Sequence, residues 1–305
     1  MLRRIADAAF PGRRVTRVES LGDGYRNANF KLEAEPGGAL VLRIYEHDAS
    51  LCRKEADLRR LVRGSVPVPE EVYVEPDGWE DVPPFAVLAW TEGITFRELK
   101  RGGDREAIAQ AAGAAGRTLA AIGGYGFAGA GWIGPGPAVT APLLAGADPL
   151  PRFVDLCLAR ETLRRRAPAE TCRGVHELMW SCAARLAEME REARLVHGDF
   201  NKRNVLVRER AGRWEVAAVI DWEFAVAGPP LADLGSFLRY ERAGAAVIEP
   251  HFSRGYLDGG GGLPEDWRQM ARVVDLAAIC ESLASARLPE PFVPELVELV
   301  RAAAG

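Results

Sequence analysis

The chain of 305 residues lacks several features that would have assigned it to a narrow class. Its five cysteines are odd in number and include no Cys-x-x-Cys pair, so neither a disulfide framework nor a cysteine zinc site is expected. The four histidines complete no metal-ligand cluster. No apolar run is long enough to span a bilayer, and the N-terminus has an early acid and no long apolar segment, which argues against a signal peptide. These absences predict a cytoplasmic protein with no membrane partner.

An excess of basic residues is also missing. Lys and Arg number 39 against 43 Asp and Glu, which gives a net charge of −4 and a pI near 5.8. Nucleic acid is therefore not an expected partner, because domains that bind it usually carry a basic surface. The sequence implies no protein partner either. What remains is an ordinary globular composition and a length sufficient for two lobes, each with its own core.

A set of polar residues around two apolar runs is the most informative feature that the sequence does contain. An apolar run leads to Asp199, Asn204 follows five positions later, and the runs Val205–Val207 and Val216–Ile220 lead to Asp221. The two runs are rich in β-branched residues and are separated by a polar stretch with a glycine, so they predict a hairpin that brings Asn204 and Asp221 to its open end. Phosphoryl transfer needs one carboxylate to orient the acceptor hydroxyl and take its proton, and an Asn and a second Asp to hold magnesium ions. The alternative, ordinary turn-forming residues, does not explain the joint spacing.

Two motifs carry a family resemblance: His197-Gly198-Asp199 with Asn204, and Ile220-Asp221-Trp222-Glu223. They resemble the aminoglycoside phosphotransferase family, which shares the choline-kinase and protein-kinase-like fold. The resemblance implies that Asp199 is the catalytic base and that Asn204 and Asp221 bind Mg²⁺. It also implies that Asp233 braces the catalytic loop and that His197 gives it structural support. The cofactors would be ATP or GTP together with Mg²⁺.

The same resemblance implies an α+β, two-lobed protein-kinase-like fold. A small N-terminal lobe would be an antiparallel β-sheet, and a larger C-terminal lobe would be mainly helical. Residues 1–93 would form the nucleotide-binding lobe, with the hinge at its end. Residues 94–305 would form the catalytic and acceptor-binding lobe.

The first third of the chain contains candidate nucleotide-binding residues. Gly22 and Gly24 lie in a turn whose backbone N–H groups could bind a phosphate, and Asn27 follows them. Such a turn joins many hairpins, so its position ahead of the next strand matters more than its composition. In that strand Arg43 is the single basic residue, and Glu55 lies on the predicted helix from Leu51 to Val62, where it could hold Arg43. The alternative for Arg43 is an exposed strand arginine.

The apolar run that ends near Gly93 corresponds, in the resembling family, to the hinge. Ala89 and Thr91 would contact the nucleotide base there through main-chain atoms. Beyond the hinge the sequence predicts several helices and one loop: helices at Asp104–Ile122, Leu150–Arg166, Thr171–Arg194 and Trp267–Ser285, and a Gly- and Pro-rich loop at 123–151.

The spacing between Asp221 and Asp233 restricts the acceptor. Twelve positions leave no room for the long segment with which protein kinases dock a peptide, so the acceptor should be a small molecule with a hydroxyl. Residues 241–305 hold ten acids and six arginines, and acidic walls would attract an aminated acceptor. Asp275 and Glu281 are the candidate acids. The alternative is that these acids belong to ordinary solvated helix faces.

The sequence therefore predicts a phosphotransferase that moves the γ-phosphate of ATP or GTP to a hydroxyl of a small molecule. The acceptor could be an aminoglycoside or another antibiotic, in which case the enzyme would confer resistance. A metabolic kinase of a sugar, an amino alcohol or homoserine is the first alternative. A nucleotide-binding pseudokinase that acts as an interaction module is the second, and the intact set of Asp199, Asn204 and Asp221 argues against it.

Overall fold

A five-stranded antiparallel sheet forms the first part of the molecule. The computed structural model describes residues 2–22, 27–144, 146, 148–241 and 247–304. The chain begins with α1 (Leu2–Ala9), followed by β1 (Arg14–Ser20), β2 (Ala28–Glu35), β3 (Gly38–Ile44), α2 (Ser50–Val62), β4 (Glu71–Glu75) and β5 (Phe85–Ala89). The strands are ordered β1-β2-β3-β5-β4, and every neighbouring pair is antiparallel.

Alternation along β3 places Arg43 on a different face of the sheet from the apolar core. Leu40, Leu42 and Ile44 are buried in one cluster together with Ile5 of α1. Because successive side chains of a strand point to opposite faces, Arg43 projects from the other face, towards the second part of the chain. The helix α2 packs against that second part, since its residues Leu58 and Val62 belong to the larger core.

The second part is mainly helical. Its elements are β6 (Ile94–Thr95), α3 (Phe96–Gly102), α4 (Arg105–Ile122), β7 (Gly131–Ile133), β8 (Val139–Ala141), α5 (Pro149–Leu158), α6 (Glu161–Arg166), α7 (Ala169–Ser181), α8 (Ala183–Glu190), β9 (Arg194–Val196), β10 (Val205–Arg210), β11 (Arg213–Val219), β12 (Val226–Gly228), α9 (Leu231–Leu238), α10 (Glu249–Asp258), α11 (Trp267–Ala284), a 3₁₀ turn (Glu290–Phe292) and α12 (Val293–Ala304). Two small sheets accompany the helices, ordered β11-β10-β6 and β8-β7-β12-β9.

The hairpin β10–β11 forms where the sequence predicts it, and its turn is shorter than the polar stretch suggested. Arg210 pairs with Arg213, so only Ala211 and Gly212 form the turn. Both have positive φ, 50° and 75°, as in the two-residue turns whose twist matches that of the flanking strands. At the other end Val205 pairs with Val219, which brings the residues before β10 next to those after β11.

Two sequence predictions for the helical part are wrong in detail. The segment predicted as a loop at 123–151 contains β7 and β8, which add to the sheet of β12 and β9. The two helices predicted between Leu150 and Arg194 are four, α5 to α8, and the segment ends in strand β9. The helices α4 and α11 begin and end within a residue or two of the prediction, and Asp104 caps α4 by accepting from Glu106 N and Ala107 N.

All five cysteines are free thiols, as their number and spacing predict. Within the described ranges, no helix combines the length and the apolar character needed to cross a bilayer.

Candidate active site

The open end of the β10–β11 hairpin brings three of the predicted site residues together. Ile220, directly after β11, donates its N–H to the carbonyl of Asn204, directly before β10, at 3.0 Å. The amide nitrogen of Asn204 donates to Asp199 Oδ2 at 2.7 Å and to the Asp199 carbonyl at 3.0 Å. Asp221 follows Ile220 in the chain, and its charge acts on the carboxyl group of Asp199. Asp199, Asn204 and Asp221 therefore form one cluster, as the motif spacing predicts.

Asp199 is held in one orientation by two amides. Asn201 donates to its Oδ1 and Asn204 to its Oδ2, each at 2.7 Å. Burial raises the pKa of Asp199 to about 6, and the nearby charge of Asp221 adds to this, whereas the two amide hydrogen bonds oppose it. A carboxylate with a pKa near the working pH is suited to accept a proton from a hydroxyl.

The loop that carries Asp199 is fixed from behind by Asp233 at the start of α9. The buried carboxylate of Asp233 accepts the N–H of His197 at 2.7 Å and that of Gly198 at 3.0 Å. Burial raises the pKa of Asp233 to about 7, against the effect of these N–H groups. Gly198 has φ +79°, and a Cβ there would lie 2.2 Å from the carbonyl oxygen of Phe224, so the loop requires glycine.

His197 is fully buried behind the same loop. Its Nδ1 accepts the N–H of Asp199 at 3.3 Å, and its Nε2 lies 3.1 Å from the carbonyl of Ile220, to which it donates. Burial lowers the pKa of His197 to about 4, so the ring is neutral and carries its proton on Nε2. Its role is to join the Asp199 loop to the end of β11.

Arg43 joins the first sheet to the hairpin through three carboxylates. A single terminal nitrogen donates to Glu55 at 2.8 Å, to Asp221 at 2.7 Å and to Glu223 at 3.4 Å. The pKa of Arg43 is raised well above its ordinary value: burial lowers it, but the surrounding acids, Glu55 first, raise it by more. The predicted contact between Arg43 and Glu55 is present, and the alternative of an exposed strand arginine is excluded, since Arg43 is 9 % exposed.

Other residues lie around Arg43 for which the sequence predicts no role: Glu223, Lys54 and Tyr45. Glu223 is buried, accepts from the amide nitrogen of Asn27 at 2.7 Å, and offers its carbonyl to the ammonium group of Lys54 at 2.8 Å. Tyr45 donates to the second oxygen of Glu55 at 3.1 Å. Glu223 lies in the second sequence motif, so its position could have been noticed, but nothing in a strand-and-helix pattern shows that Lys54 and Tyr45 turn inward.

Magnesium fits the oxygen atoms at the open end of the hairpin. Asn204 turns its amide nitrogen to Asp199, which leaves its Oδ1 as an acceptor, and Asp221 has Oδ2 to offer because its Oδ1 accepts from Arg43. Carboxylate and amide oxygens are the ligands that Mg²⁺ prefers. Oxygen atoms of Glu55, Asp221 and Glu223 also lie within 4.8 Å of one another, but the guanidinium of Arg43 contacts all three.

The backbone of Asp221 has an uncommon conformation. Its φ is +69°, in the left-handed region that costs free energy for residues with a Cβ. Such strain persists only where the surroundings enforce it, and it concentrates at functional sites. The left-handed turn ends β11 and directs the carboxylate of Asp221 to Arg43.

The remaining residues predicted to bind the nucleotide differ in their burial and in their contacts. Gly22 is exposed with φ +90°, Asn27 is buried against Glu223, and Gly24 lies outside the described residues. At the predicted hinge, the N–H of Ala89 already donates to the carbonyl of Glu70 at 2.8 Å, so this N–H is not available to a base. No acceptor for the N–H of Thr91 lies among the residues that the structure describes.

The two acids predicted to bind the acceptor do not share a surface. Asp275 is buried and accepts from Arg239 at 2.8 and 2.6 Å, in a two-pronged ion pair that ties α11 to the end of α9. Glu281 lies on the same helix but is exposed, and its charge acts on the thiol of Cys157 in α5.

Comparison with known proteins identifies a family that matches most of the chain. The model of a family described as the phosphotransferase enzyme family matches residues 17–273. No curated protein matches the chain.

Solved structures of several kinases have the same fold. One is a thermostable mutant of aminoglycoside phosphotransferase APH(4)-Ia in complex with AMP-PNP and hygromycin B, with 20% identity, a TM-score of 0.69, and coverage of 99% of this chain and 95% of that chain. A GDP and kanamycin complex of APH(2")-IIia has 17% identity, a TM-score of 0.72, and coverage of 99% and 97%. A putative fructosamine-3-kinase from Thermobifida fusca has 22% identity, a TM-score of 0.63, and coverage of 99% and 97%. These likenesses confirm the predicted α+β, protein-kinase-like fold.

Proposed function

This chain belongs to the phosphotransferase enzyme family, and from that premise we propose that it transfers the γ-phosphate of ATP or GTP to a hydroxyl group of a small molecule. The observation that carries the proposal is the clustering of Asp199, Asn204 and Asp221 at the open end of one hairpin. Bound nucleotides and small molecules in the structural neighbours support it. In this proposal the lobe boundary lies near Gly93, where the chain leaves the first sheet, and the enzyme works in the cytoplasm.

Each residue of the cluster has a distinct task in the proposed reaction. Asp199 accepts a hydrogen bond from the acceptor hydroxyl, aims its oxygen at the γ-phosphorus, and takes its proton as the new O–P bond forms. The bond from the γ-phosphorus to the β–γ bridging oxygen breaks in the same step, and ADP or GDP leaves. Asn201 and Asn204 hold the carboxylate in that direction. Asn204 and Asp221 would hold Mg²⁺, which when bound neutralises the charge on the phosphates. Catalysis is then positioning together with charge neutralisation, without a covalent enzyme intermediate.

Arg43 has the task of steadying the phosphates, and Glu55 that of steadying Arg43. One terminal nitrogen of Arg43 makes all three of its acidic contacts. Among the described residues the other terminal nitrogen has no acidic partner, so it would bind a phosphate oxygen. Because a guanidinium stays charged at any working pH, this contact does not titrate.

The experiment that tests the proposal is magnesium-dependent release of ADP or GDP in the presence of hydroxylated acceptors. The panel holds aminoglycosides, macrolides, choline, homoserine and simple sugars, so it separates an antibiotic-modifying enzyme from a metabolic kinase. Asp199→Ala should lower acceptor-stimulated release by about 10²–10⁴-fold, the usual contribution of a general base. Asp77→Ala removes a carboxylate that is 81% exposed and should leave release unchanged.

Three outcomes would contradict the proposal in different ways. Nucleotide binding without any turnover, in wild type and Asp199→Ala alike, would favour the pseudokinase. Turnover that survives Asp199→Ala would remove Asp199 from its role. Failure to bind either nucleotide would reject kinase activity altogether.

A further inference from the structure

Among the residues that the structure describes, six cations lie on the loop that carries Asp199 (the catalytic loop), on α3 and directly after α9. They are Arg97, Lys100 and Arg101 on α3, Lys202 and Arg203 on the loop itself, and Arg239 directly after α9. We call this group the cationic rim. The N–H of Arg97 donates to the carbonyl of Lys202 at 2.8 Å, which fixes the start of α3 against the catalytic loop.

Two cations of the rim are neutralised by acids. The carboxylate oxygens of these acids already accept hydrogen bonds from the protein. Arg239 pairs with Asp275 through two hydrogen bonds. Lys100 lies 3.0 Å from a carboxylate oxygen of Glu241, whose other oxygen accepts the N–H groups of Val247 and Ile248. Asp275 and Glu241 are therefore unavailable to an incoming amine.

The other part of the rim has no acidic partner. Across the ranges that the structure describes, no carboxylate lies within ion-pair distance of Arg97, Arg101, Lys202 or Arg203. Arg203 is exposed and Arg97 is half-buried. Repulsion by Arg203, more than any other cause, lowers the pKa of Arg97, and the charge of Glu295 acts in the opposite direction. The ammonium group of Lys202 donates to the carbonyl of Phe237. Like charges are held together here although each would be more stable beside an anion.

The rim lies within reach of the reacting hydroxyl. Arg203 follows Asp199 by four residues, so at about 3.6 Å per residue the two Cα atoms are no more than about 14 Å apart. The backbone hydrogen bond from Arg97 to Lys202 places Arg97 beside the same loop. A molecule of sugar size whose hydroxyl meets Asp199 can therefore place a second group against the rim.

We propose that the acceptor carries a carboxylate or phosphate group, which Arg203 and Arg97 bind while its hydroxyl lies against Asp199. Guanidinium groups bind both anions through paired, charge-assisted hydrogen bonds. An aminated acceptor would meet Arg97, Arg101 and Arg203, none of which has a described carboxylate within ion-pair distance, and like charges at a binding surface select against a partner. This inference rests on the proposed function, and it replaces the expected acidic surface of Asp275 and Glu281 with a basic one.

The test uses matched ligands that differ only in charge. Glycerol 3-phosphate is compared with glycerol, and D-gluconate with D-glucose and D-glucosamine, by calorimetric titration of the full chain saturated with AMP-PNP and Mg²⁺. The anionic members should bind at least about tenfold more tightly than their neutral and aminated counterparts. In the double variant Arg97→Gln, Arg203→Gln this preference should fall at least about tenfold, whereas Arg213→Gln, at the opposite end of the hairpin, should retain it.

The result separates this inference from the function on which it rests. Equal binding of anionic and neutral members, tighter binding of D-glucosamine, or an anion preference that survives the double variant would each overturn the inference. Because the titration measures binding alone, failure of the proposed function appears elsewhere, as nucleotide turnover that does not depend on Asp199. A folded double variant is confirmed by unchanged affinity for AMP-PNP.

Discussion

Two charged regions flank the catalytic loop and are built on opposite principles. Around Arg43 the charges are mostly buried and matched in the sense that each acid contacts a cation: Arg43 contacts three acids at 2.7–3.4 Å, and the group joins the first sheet to the hairpin. Around Arg203 the cations are partly exposed, and among the described residues no carboxylate lies within ion-pair distance of Arg97, Arg101 or Arg203. A buried, matched network fixes the positions of its members because each loses its solvation if it moves. A set of exposed cations without acidic partners does not hold elements of the fold together, but it favours anionic ligands over cationic ones.

The same substitution at both regions should separate these two roles. Arg43→Met leaves buried carboxylates without their cation, so we expect the free energy of unfolding to fall by about 3–5 kcal/mol. Arg203→Met removes an exposed cation whose nearest described ring is that of Phe292, so we expect a change of no more than about 1 kcal/mol. Urea denaturation of the two variants measures the difference.

A conservative variant keeps this comparison interpretable. Arg43→Lys retains a positive charge but not the planar guanidinium, so it should recover part of the stability that Arg43→Met loses. If Arg43→Met and Arg203→Met cost the same, the network around Arg43 would not be the structural connection that its contacts indicate.

A smaller loss of stability is expected for a substitution of Asn27, which borders the network around Arg43. Asn27→Ala removes the amide that donates to Glu223 at 2.7 Å, and Glu223 is 8 % exposed. A buried carboxylate that loses a donor costs about 1–3 kcal/mol, which urea denaturation should detect. The matched control is Asn29→Ala. Among the described residues the side chain of Asn29 donates to the Asn27 carbonyl at 3.4 Å and makes no other hydrogen bond, so we expect a loss of about 0.5 kcal/mol or less. Equal costs would show that the contact to Glu223 contributes no stability.

The motif residues could be predicted from sequence because their geometry is local. Four intervening loop residues fix Asp199 relative to Asn204, and a hairpin fixes Asn204 relative to Asp221. The contact between Arg43 and Glu55 also follows from a strand facing the next helix. The fold class follows from the family that the motifs resemble, and the long helices α4 and α11 follow from apolar spacing.

Contacts between distant segments could not be predicted in the same way. Asp275 reads as a candidate acceptor acid from sequence, but Arg239, thirty-six positions away, neutralises it. The cationic rim draws on α3, the catalytic loop and the end of α9, so no single stretch of sequence displays it. The strands β7 and β8 are three residues each and owe their existence to pairing with each other and with β12. Tertiary contacts decide such elements, and local propensity does not.

The smallest predicted effect concerns the pH dependence of turnover. Asp199 must be ionised to accept a proton, and its pKa is about 6, so kcat/KM should fall about tenfold per pH unit below that value. Asp233, with a pKa of about 7, could produce a similar acidic limb by releasing the loop when it is protonated. Asn201 distinguishes the two, because it donates to Asp199 and not to Asp233. That hydrogen bond lowers the pKa of Asp199, so Asn201→Ala should raise it and move the acidic limb to higher pH, by less than about one unit. A limb that stays in place in this variant would assign the titration to Asp233, and the loss of activity in acid would then report on the loop behind the base and not on the base itself.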